Sequence, residues 1–419
     1  MLKVVEAFSG IGSQVEALKN IKIDYEVSAT VDWEISAIYT YDILHNGKQN
    51  LKDYRLHHKE SIVDKLTTYN LSSNGKDPIT RRAMMAMPTV QLKSLLAAIE
   101  RTNNLIDITS VNADQLPNDI DVLTYSFPCQ DLSVSSFWHN NFSGITKGVG
   151  NRSGLLWEIE RLLKDFSNKN KPFPKFLLME NVSAILSRHH IDNFNLWKKF
   201  LEDLGYYNQV YTLNSNKFNV AQDRQRTFMI SVLCETPIIE SNVDHYFSLN
   251  NLENVDLLKT KNISDYLRLD YDNNQYLHEA ILATPNFTES RKKIMENNRI
   301  LAVDRLANEH LNAATLTTKQ DRNPNSGIIK FEKEVIKTGS QYRNLTPREC
   351  FLLMGFKEND FDTIIENDLE VLSGKKFLSN ARLYKLTGNS IVVPVLEEIF
   401  KQINQINTEI LKPTVSILQ

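Results

Sequence analysis

Short apolar runs alternate with stretches of helical period through the first 235 residues. The runs at 3–7, 25–31, 121–125, 175–179, 209–213 and 226–233 have the length and apolar content of strands. Segments 13–20, 34–44, 154–164 and 194–204 fit helices. Buried strands separated by helices predict an α/β domain, a mostly parallel sheet with helices on both faces. Residues 46–103 interrupt this alternation with charged, Asn-rich ends and a helical segment near 90–99, so a surface excursion without a chemical role is expected there. After Glu235 the pattern changes: residues 236–345 are Asn-rich and weakly periodic, with short strand-like pieces at 327–331. That shift predicts a second, smaller domain of mixed structure. Helical period returns at 389–405, where Ile391, Val392, Val395, Leu396, Ile399 and Phe400 make a strongly amphipathic helix.

A chain of 419 residues has room for two such domains, each with a core. No apolar run approaches the roughly 20 residues that span a bilayer, and residues 2–7 read directly as a strand rather than a signal. A cytoplasmic protein with no membrane contact is therefore expected. The three cysteines form no Cys-x-x-Cys pair, so neither a disulfide framework nor a metal site is signalled. Cys234 and Cys350 sit in apolar stretches and are expected to be core thiols. A net charge of −3 argues against general affinity for polyanions. Residues 311–350, however, carry seven Lys/Arg against four Asp/Glu, which predicts a locally basic surface.

Five fragments carry candidate chemistry. Phe8-Ser9-Gly10-Ile11-Gly12 leaves the first strand and opens a helix, where glycines let the backbone approach a ligand. A third glycine is missing, since position 15 is Val, which counts against a dinucleotide pyrophosphate. Asp32, at the end of the second strand, can grip ribose hydroxyls. Ser126-Phe127-Pro128-Cys129-Gln130-Asp131 puts a thiol on the turn after a buried strand, with Pro128 stiffening that turn. Glu180-Asn181-Val182 follows the next strand at the same edge, and Asn181 is expected to tie the turn rather than touch substrate. Gln222-Asp223-Arg224-Gln225-Arg226 alternates two arginines toward one side. Gly388-Asn389-Ser390 completes the set, and four of the 14 glycines (144, 148, 150 and 154) crowd the stretch 134–154 after the cysteine, as in a mobile lid.

In this order and spacing the fragments resemble the DNA (cytosine-5)-methyltransferases of bacterial type II systems, over nearly the whole chain. The resemblance implies a Rossmann-like domain using S-adenosylmethionine, spanning 1–235 and completed by 380–419, with a target-recognition domain at 236–379. It implies that Phe8, Gly10, Gly12 and Trp33 line the adenosine beside Asp32. Asp107 and Ile108 would hold the adenine edge, Pro128 would adjoin the cofactor, and Asn389 and Ser390 would close the site. Cytosine C5 is too electron-poor to accept a methyl group until a nucleophile adds to C6; Cys129 would be that nucleophile. Glu180 would supply a proton at N3, with one of Arg224 and Arg226 on the base and the other bracing the loop.

A stacked base cannot be attacked, so the cytosine would be flipped out, with Ser133 and the segment through Arg152 closing over it. Thr315, in the stretch 314–318, resembles a recognition signature, and Arg322 and Asn323 follow in a loop of base-reading side chains. The segments 343–349 and 353–356 resemble the motif that organises that domain. The catalytic segments look most like mollicute enzymes that methylate CpG, but they do not read sequence, so that target is not carried over. Double-stranded DNA is the implied partner, the enzyme is expected to be a monomer, and the likeness allows for a cognate restriction endonuclease. A tRNA cytosine-5 methyltransferase is the alternative enzyme, with a smaller recognition region expected. An inactive DNA-binding paralogue would need none of Cys129, Glu180 and Arg224, and a nucleotide-binding oxidoreductase leaves the Pro-Cys-Gln and Glu-Asn-Val pair unexplained.

Overall fold

Val122–Tyr125 (β3) is buried at every position, as expected of a strand covered on both sides. It pairs in parallel with Leu2–Ala7 (β1) and Phe176–Val182 (β4), and β1 pairs in parallel with Tyr25–Val31 (β2). Tyr206–Asn214 (β5) and Gln225–Leu233 (β7) complete a six-stranded sheet in the order β2-β1-β3-β4-β7-β5, with β7 antiparallel to β4; the two-residue Gln222–Asp223 (β6) lies outside it. The computed structural model describes residues 1–54, 57–128, 145, 152–255, 261–286, 288–301, 309–333 and 339–412. The α/β sheet is as the sequence pattern predicts, and the strands agree with it to within a few residues at their ends.

Two compact units divide the chain: Met1–Leu213, Gln225–Val255 and Leu396–Gln419 form one, Asn214–Arg224 and Asp256–Val395 the other. These bounds differ from the predicted ones. Residues 236–255 pack with the first unit, as the helix Pro237–Leu249, and 380–395 with the second.

In the first unit Ser13–Asn20 (α1) and Ile35–His45 (α2) follow β1 and β2. A cluster on the sheet joins Leu123, Leu177 and Met179 to Leu156, Ile159, Leu163 and Phe166 of the helix Leu156–Asn168. Trp197, from the helix Ile191–Asp203, donates its indole N–H to Tyr125 Oη at 3.1 Å.

The 46–103 segment is not the surface excursion expected. It forms Lys59–Leu66 (α3), Arg81–Ala86 (α4) and Thr89–Arg101 (α5), which bury Ile62, Val63, Leu66, Leu92, Leu95, Leu96 and Ile99. The reason lies in α2, which is buried along its length from Ile35 to Leu44 and needs cover on more than one side. α5 packs on α2 and is tied to it by Arg101, paired with the buried Asp42 at 3.1 Å. The helix predicted at 389–405 is also two elements, Asn380–Asn389 and Val393–Gln405, broken before Pro394. Cys350 is buried as expected, but Cys234 is only half-buried.

In the second unit the strands Tyr342–Asn344, Ile328–Lys330, Ile300–Leu301 and Glu309–His310 form a mixed sheet. Beside it Arg343 and Glu349, both 0% exposed, make a bidentate pair at 2.8 Å on each arm. Glu349 also accepts the backbone N–H groups of Thr346 and Arg268, each at 2.8 Å, so its lone pairs are satisfied without water. Removing one partner of such a pair strands a buried charge. Glu349→Ala is expected to cost about 3–5 kcal/mol in chemical denaturation. A loss below about 1 kcal/mol would mean that the pair contributes no more than a surface bridge.

Candidate active site

Register fixes where the candidate side chains emerge. Val31 pairs with Ala7, Ala7 with Tyr125 and Tyr125 with Met179, a ladder across four parallel strands. The residues that follow, Asp32, Phe8, Ser126 and Glu180, therefore all stand at the carboxyl edge, where open α/β sheets carry their sites.

The turn after β1 is held from below and from the side. Its φ angles are positive at Phe8 (59°), Gly10 (55°) and Gly12 (76°). Gly10 N–H donates to Asp32 Oδ2 at 2.9 Å, while Asp32 Oδ1 accepts from Glu34 N–H at 2.9 Å. Space around a Cβ on Gly10 is open, whereas one on Gly12 would lie 2.3 Å from His45 Nε2 and 2.7 Å from Tyr41. Gly12 is thus required twice, by φ and by this floor. It caps α1 without any side-chain hydrogen bond to the helix N-terminus.

Trp33 is half-buried beside Asp32. The Asp107 carboxylate accepts from Thr109 N–H at 3.0 Å and Thr109 Oγ1 at 2.8 Å. Ile108 is buried in the sheet core, and its carbonyl accepts from Arg161 at 2.8 Å. Its side chain is therefore core, and what it can offer a ligand is backbone.

Beneath the turn lies a half-buried polar group that sequence reading missed. His45 Nε2 is 2.9 Å from the Ile11 carbonyl oxygen and Nδ1 is 2.9 Å from Lys19 Nζ. An ammonium only donates, so Nδ1 accepts and Nε2 carries the hydrogen toward Ile11. Burial, helped by Lys19, pushes His45 down to about 3 and keeps it neutral. Tyr41 donates its hydroxyl to Glu6 Oε2, and burial lifts Glu6 to about 7.

At the next strand ends, buried Asn181 donates to the Phe127 carbonyl at 3.0 Å and accepts from Val182 N–H at 2.8 Å. Ser126 Oγ reaches the Phe8 carbonyl at 3.4 Å. Asn181 thus ties the turn that leads through Pro128, as expected of it. Cys129, Ser133, most of the stretch 134–154 and the Arg152 side chain lie outside the described residues. One strand over, Glu180 and Arg226 face each other, Oε1 to Nε 3.4 Å, with side chains only 13% and 17% exposed.

The two arginines have different work. Arg224, in the second unit, donates to the carbonyls of Leu316 (2.9 Å), Gly388 (3.1 Å) and Ser390 (2.9 Å) and is the bracing one. Gln222, not singled out from sequence, helps: its amide accepts Leu316 N–H at 3.0 Å and donates to the Leu353 carbonyl at 2.8 Å. A Cβ on Gly388 would lie 2.5 Å from the Thr317–Thr318 peptide, so this glycine permits the close approach. Asn389 ends its helix and Ser390 follows as the cap, both in the second unit. Thr315 donates its hydroxyl to the Asp223 carbonyl at 2.8 Å, whereas Arg322 and Asn323 are exposed on a turn held by Lys319.

Of the basic residues in 311–350, Arg343 and Arg348 are buried, the latter against Glu279, Glu358 and Asp362, and neutralise carboxylates rather than facing solvent. Among the described residues Lys319, Arg322, Lys330 and Lys333 are exposed, so the surface is basic through fewer side chains than the count suggests. Among the described residues no His, Cys, Asp and Glu group could hold a metal ion, and no helix is long and apolar enough to cross a membrane.

Residues 90–405 match the family model described as C-5 cytosine-specific DNA methylase. The chain is 35% identical over 424 residues to the orphan methyltransferase M.SssI of Spiroplasma monobiae, covering 96% of this chain and 97% of that protein. It is 31% identical over 409 residues to a type II methyltransferase of Lactococcus lactis subsp. cremoris, covering 96% and 99%. The solved Dnmt2 methyltransferase of S. pombe shares the fold, with a TM-score of 0.59 at 18% identity over 97% of this chain and 99% of that one. The chain thus belongs to the C-5 cytosine-specific DNA methylase family.

The buried floor predicts a pH signature. Glu6 is lifted from 4.5 to about 7, so folding favours its protonated form. That contribution is full below about 4.5, declines as pH rises and is gone above about 7. His45 is lowered from 6.5, and its contribution is lost in the other direction, as pH falls from 6.5 toward about 3. Glu6→Gln should therefore gain stability relative to wild type as pH rises from 4.5 to 7, by on the order of 3 kcal/mol. Urea titrations at a series of pH values check this. A mutant–wild-type difference that does not change with pH would show that Glu6 titrates normally.

Proposed function

We propose that this enzyme transfers a methyl group from S-adenosylmethionine to C5 of a cytosine flipped out of a specific duplex sequence, as the modification enzyme of a restriction-modification system. The observation that carries the chemistry is the facing pair of Glu180 and Arg226 beside the turn that Asn181 ties down before Cys129. Cys129 Sγ adds to C6, and the electron pair released toward N3 is met by a proton from Glu180. Arg226 holds the Glu180 carboxyl in place and can donate to the base O2. After C5 has taken the methyl group, loss of the C5 proton lets the thiolate leave from C6.

The donor set fits the cofactor. Open space beside Gly10 and the Asp32 carboxylate, held against the turn by the Gly10 N–H, suit an adenosyl amino acid that brings no phosphate. Bound there, S-adenosylmethionine supplies an electrophilic methyl group. Phe8, Trp33, Asp107, Ile108 and Pro128 would shape its pocket, and Asn389 and Ser390 join this assignment by resemblance. Residues 256–379, within the second unit, are assigned to target recognition, with Thr315, Arg322 and Asn323 as its candidate readers, and Ser133 and Arg152 to the closing lid.

Bisulfite sequencing of plasmid from cells expressing the chain is expected to reveal one methylated duplex sequence. Cys129→Ser is expected to abolish the mark, and Glu180→Gln to lower kcat by about 10²–10⁴-fold while duplex affinity changes far less. Duplex DNA carrying 5-fluorocytosine at the target should form a covalent adduct on Cys129 by mass spectrometry. An adduct on Cys234 or Cys350, an active Cys129→Ser enzyme, or methylation of tRNA in place of DNA would overturn the assignment.

A further inference from the structure

The 46–103 segment reaches the same sheet edge at two points. Ser72, 0% exposed, donates its N–H to the Trp33 carbonyl at 2.7 Å and accepts the Ile35 N–H at 2.9 Å. This two-bond bridge fixes the backbone on both sides of Glu34 and so sets where Trp33 stands. The turn behind it is self-supporting: Ser72 Oγ accepts Gly75 N–H at 2.9 Å and donates to the Asp77 carbonyl at 2.7 Å. Two residues earlier, Asn70 Nδ2 donates to Asp107 Oδ2 at 2.6 Å. Only the amide nitrogen can face a carboxylate oxygen at that distance, which fixes the side chain's orientation.

We propose that this segment is the outer wall of the cofactor pocket, with Asn70 and Ser72 as positioning residues for the adenosyl group. The proposal rests on the S-adenosylmethionine reading above. A carboxylate oxygen has two acceptor sites. On Asp107, Oδ1 uses both for Thr109, N–H and Oγ1, and Oδ2 uses one for Asn70. Among the described residues, the remaining Oδ2 site is the one left for an incoming donor, and the exocyclic amino group of adenine is a donor of that kind. Asn70 therefore does more than tie two loops. By occupying one side of Oδ2 it aims the other, so that a purine bearing a 6-amino group gains a bond that one lacking it cannot make.

Calorimetric titration of the full-length protein with S-adenosylhomocysteine, and with its analogue carrying hydrogen in place of the 6-amino group, tests this. Wild type is expected to prefer the amino form, and Asp107→Ala to lose that preference. Asn70→Ala is expected to weaken the amino form about fivefold, the effect of one exposed charge-assisted bond, and to leave the analogue unchanged. Asn70→Asp, which sets a second carboxylate against Asp107, should weaken the amino form more than Asn70→Ala does. In turnover, Asn70→Ala should raise KM for S-adenosylmethionine by a similar factor with kcat changed less than about twofold. If Asp107→Ala removes the preference while Asn70→Ala alters neither ligand, or weakens both equally, the wall has no part in recognition and the inference fails alone. If wild type shows no preference, the adenine reading of Asp107 falls and takes the inference with it.

Discussion

The register of four parallel strands is the constraint on which the candidate site depends. Val31, Ala7, Tyr125 and Met179 sit side by side, so Asp32, the Phe8–Gly12 turn, the turn through Pro128 and Glu180 leave the sheet at one level. Side chains alternate along a strand, so a slip of one residue in any strand would swap its buried set to the opposite face. Burial of Leu123, Leu177 and Met179 under one helical layer prevents it. The core thus aligns the edge, and the edge needs only local bonds to finish it. The Asn181 amide, reaching from one strand end to the Phe127 carbonyl at the next, is the clearest of these.

A second theme is that charge is used for support as often as for chemistry. Arg224 spends its guanidinium on three backbone carbonyls, from 316 and from 388 and 390, which no neutral side chain could bridge at once. Arg343 ties its strand to the helix Pro347–Leu353 through Glu349, and Arg348 ties that helix to Glu358 and to Glu279, 69 residues away. Arg226 alone of the pair in the 222–226 motif meets a carboxylate at the sheet edge.

This division marks the limit of what the sequence makes legible. Strand positions could be read because each is a short apolar run bounded by turns, and Ser13–Asn20 was predicted to the residue. The 46–103 segment could not, because its buried face matches α2, and a helix buried all round gives no periodic hint of what covers it. The basic count over 311–350 overstates the exposed charge for a related reason. Counting charges along the chain is blind to Glu279, whose carboxylate meets Arg348 from 69 residues away. The break before Val393–Gln405, by contrast, had a visible signal in Pro394 that helical period overrode. At the site, the residue types in the motifs pointed to the edge, but His45 and Asn70 act through partners 26 or more residues distant and lie in no pattern that spacing reveals, and Gln222, though within a quoted fragment, acts through Leu316 and Leu353.

The floor of the cofactor turn shows what such hidden partners cost and contribute. With Glu6 buried and His45 half-buried, both are neutral at pH values where free side chains would carry charge, the carboxyl by gaining a proton and the imidazole by losing one. Neither change favours the folded chain at every pH, and between about 4.5 and 6.5 the two act on stability in opposite senses. A smaller apolar floor would avoid the expense but would leave the Ile11 carbonyl without the donor that His45 provides. Positive φ at Phe8, Gly10 and Gly12 makes this turn the part of the edge least able to hold its own shape. The neutral imidazole with a fixed N–H is the group that can hold it.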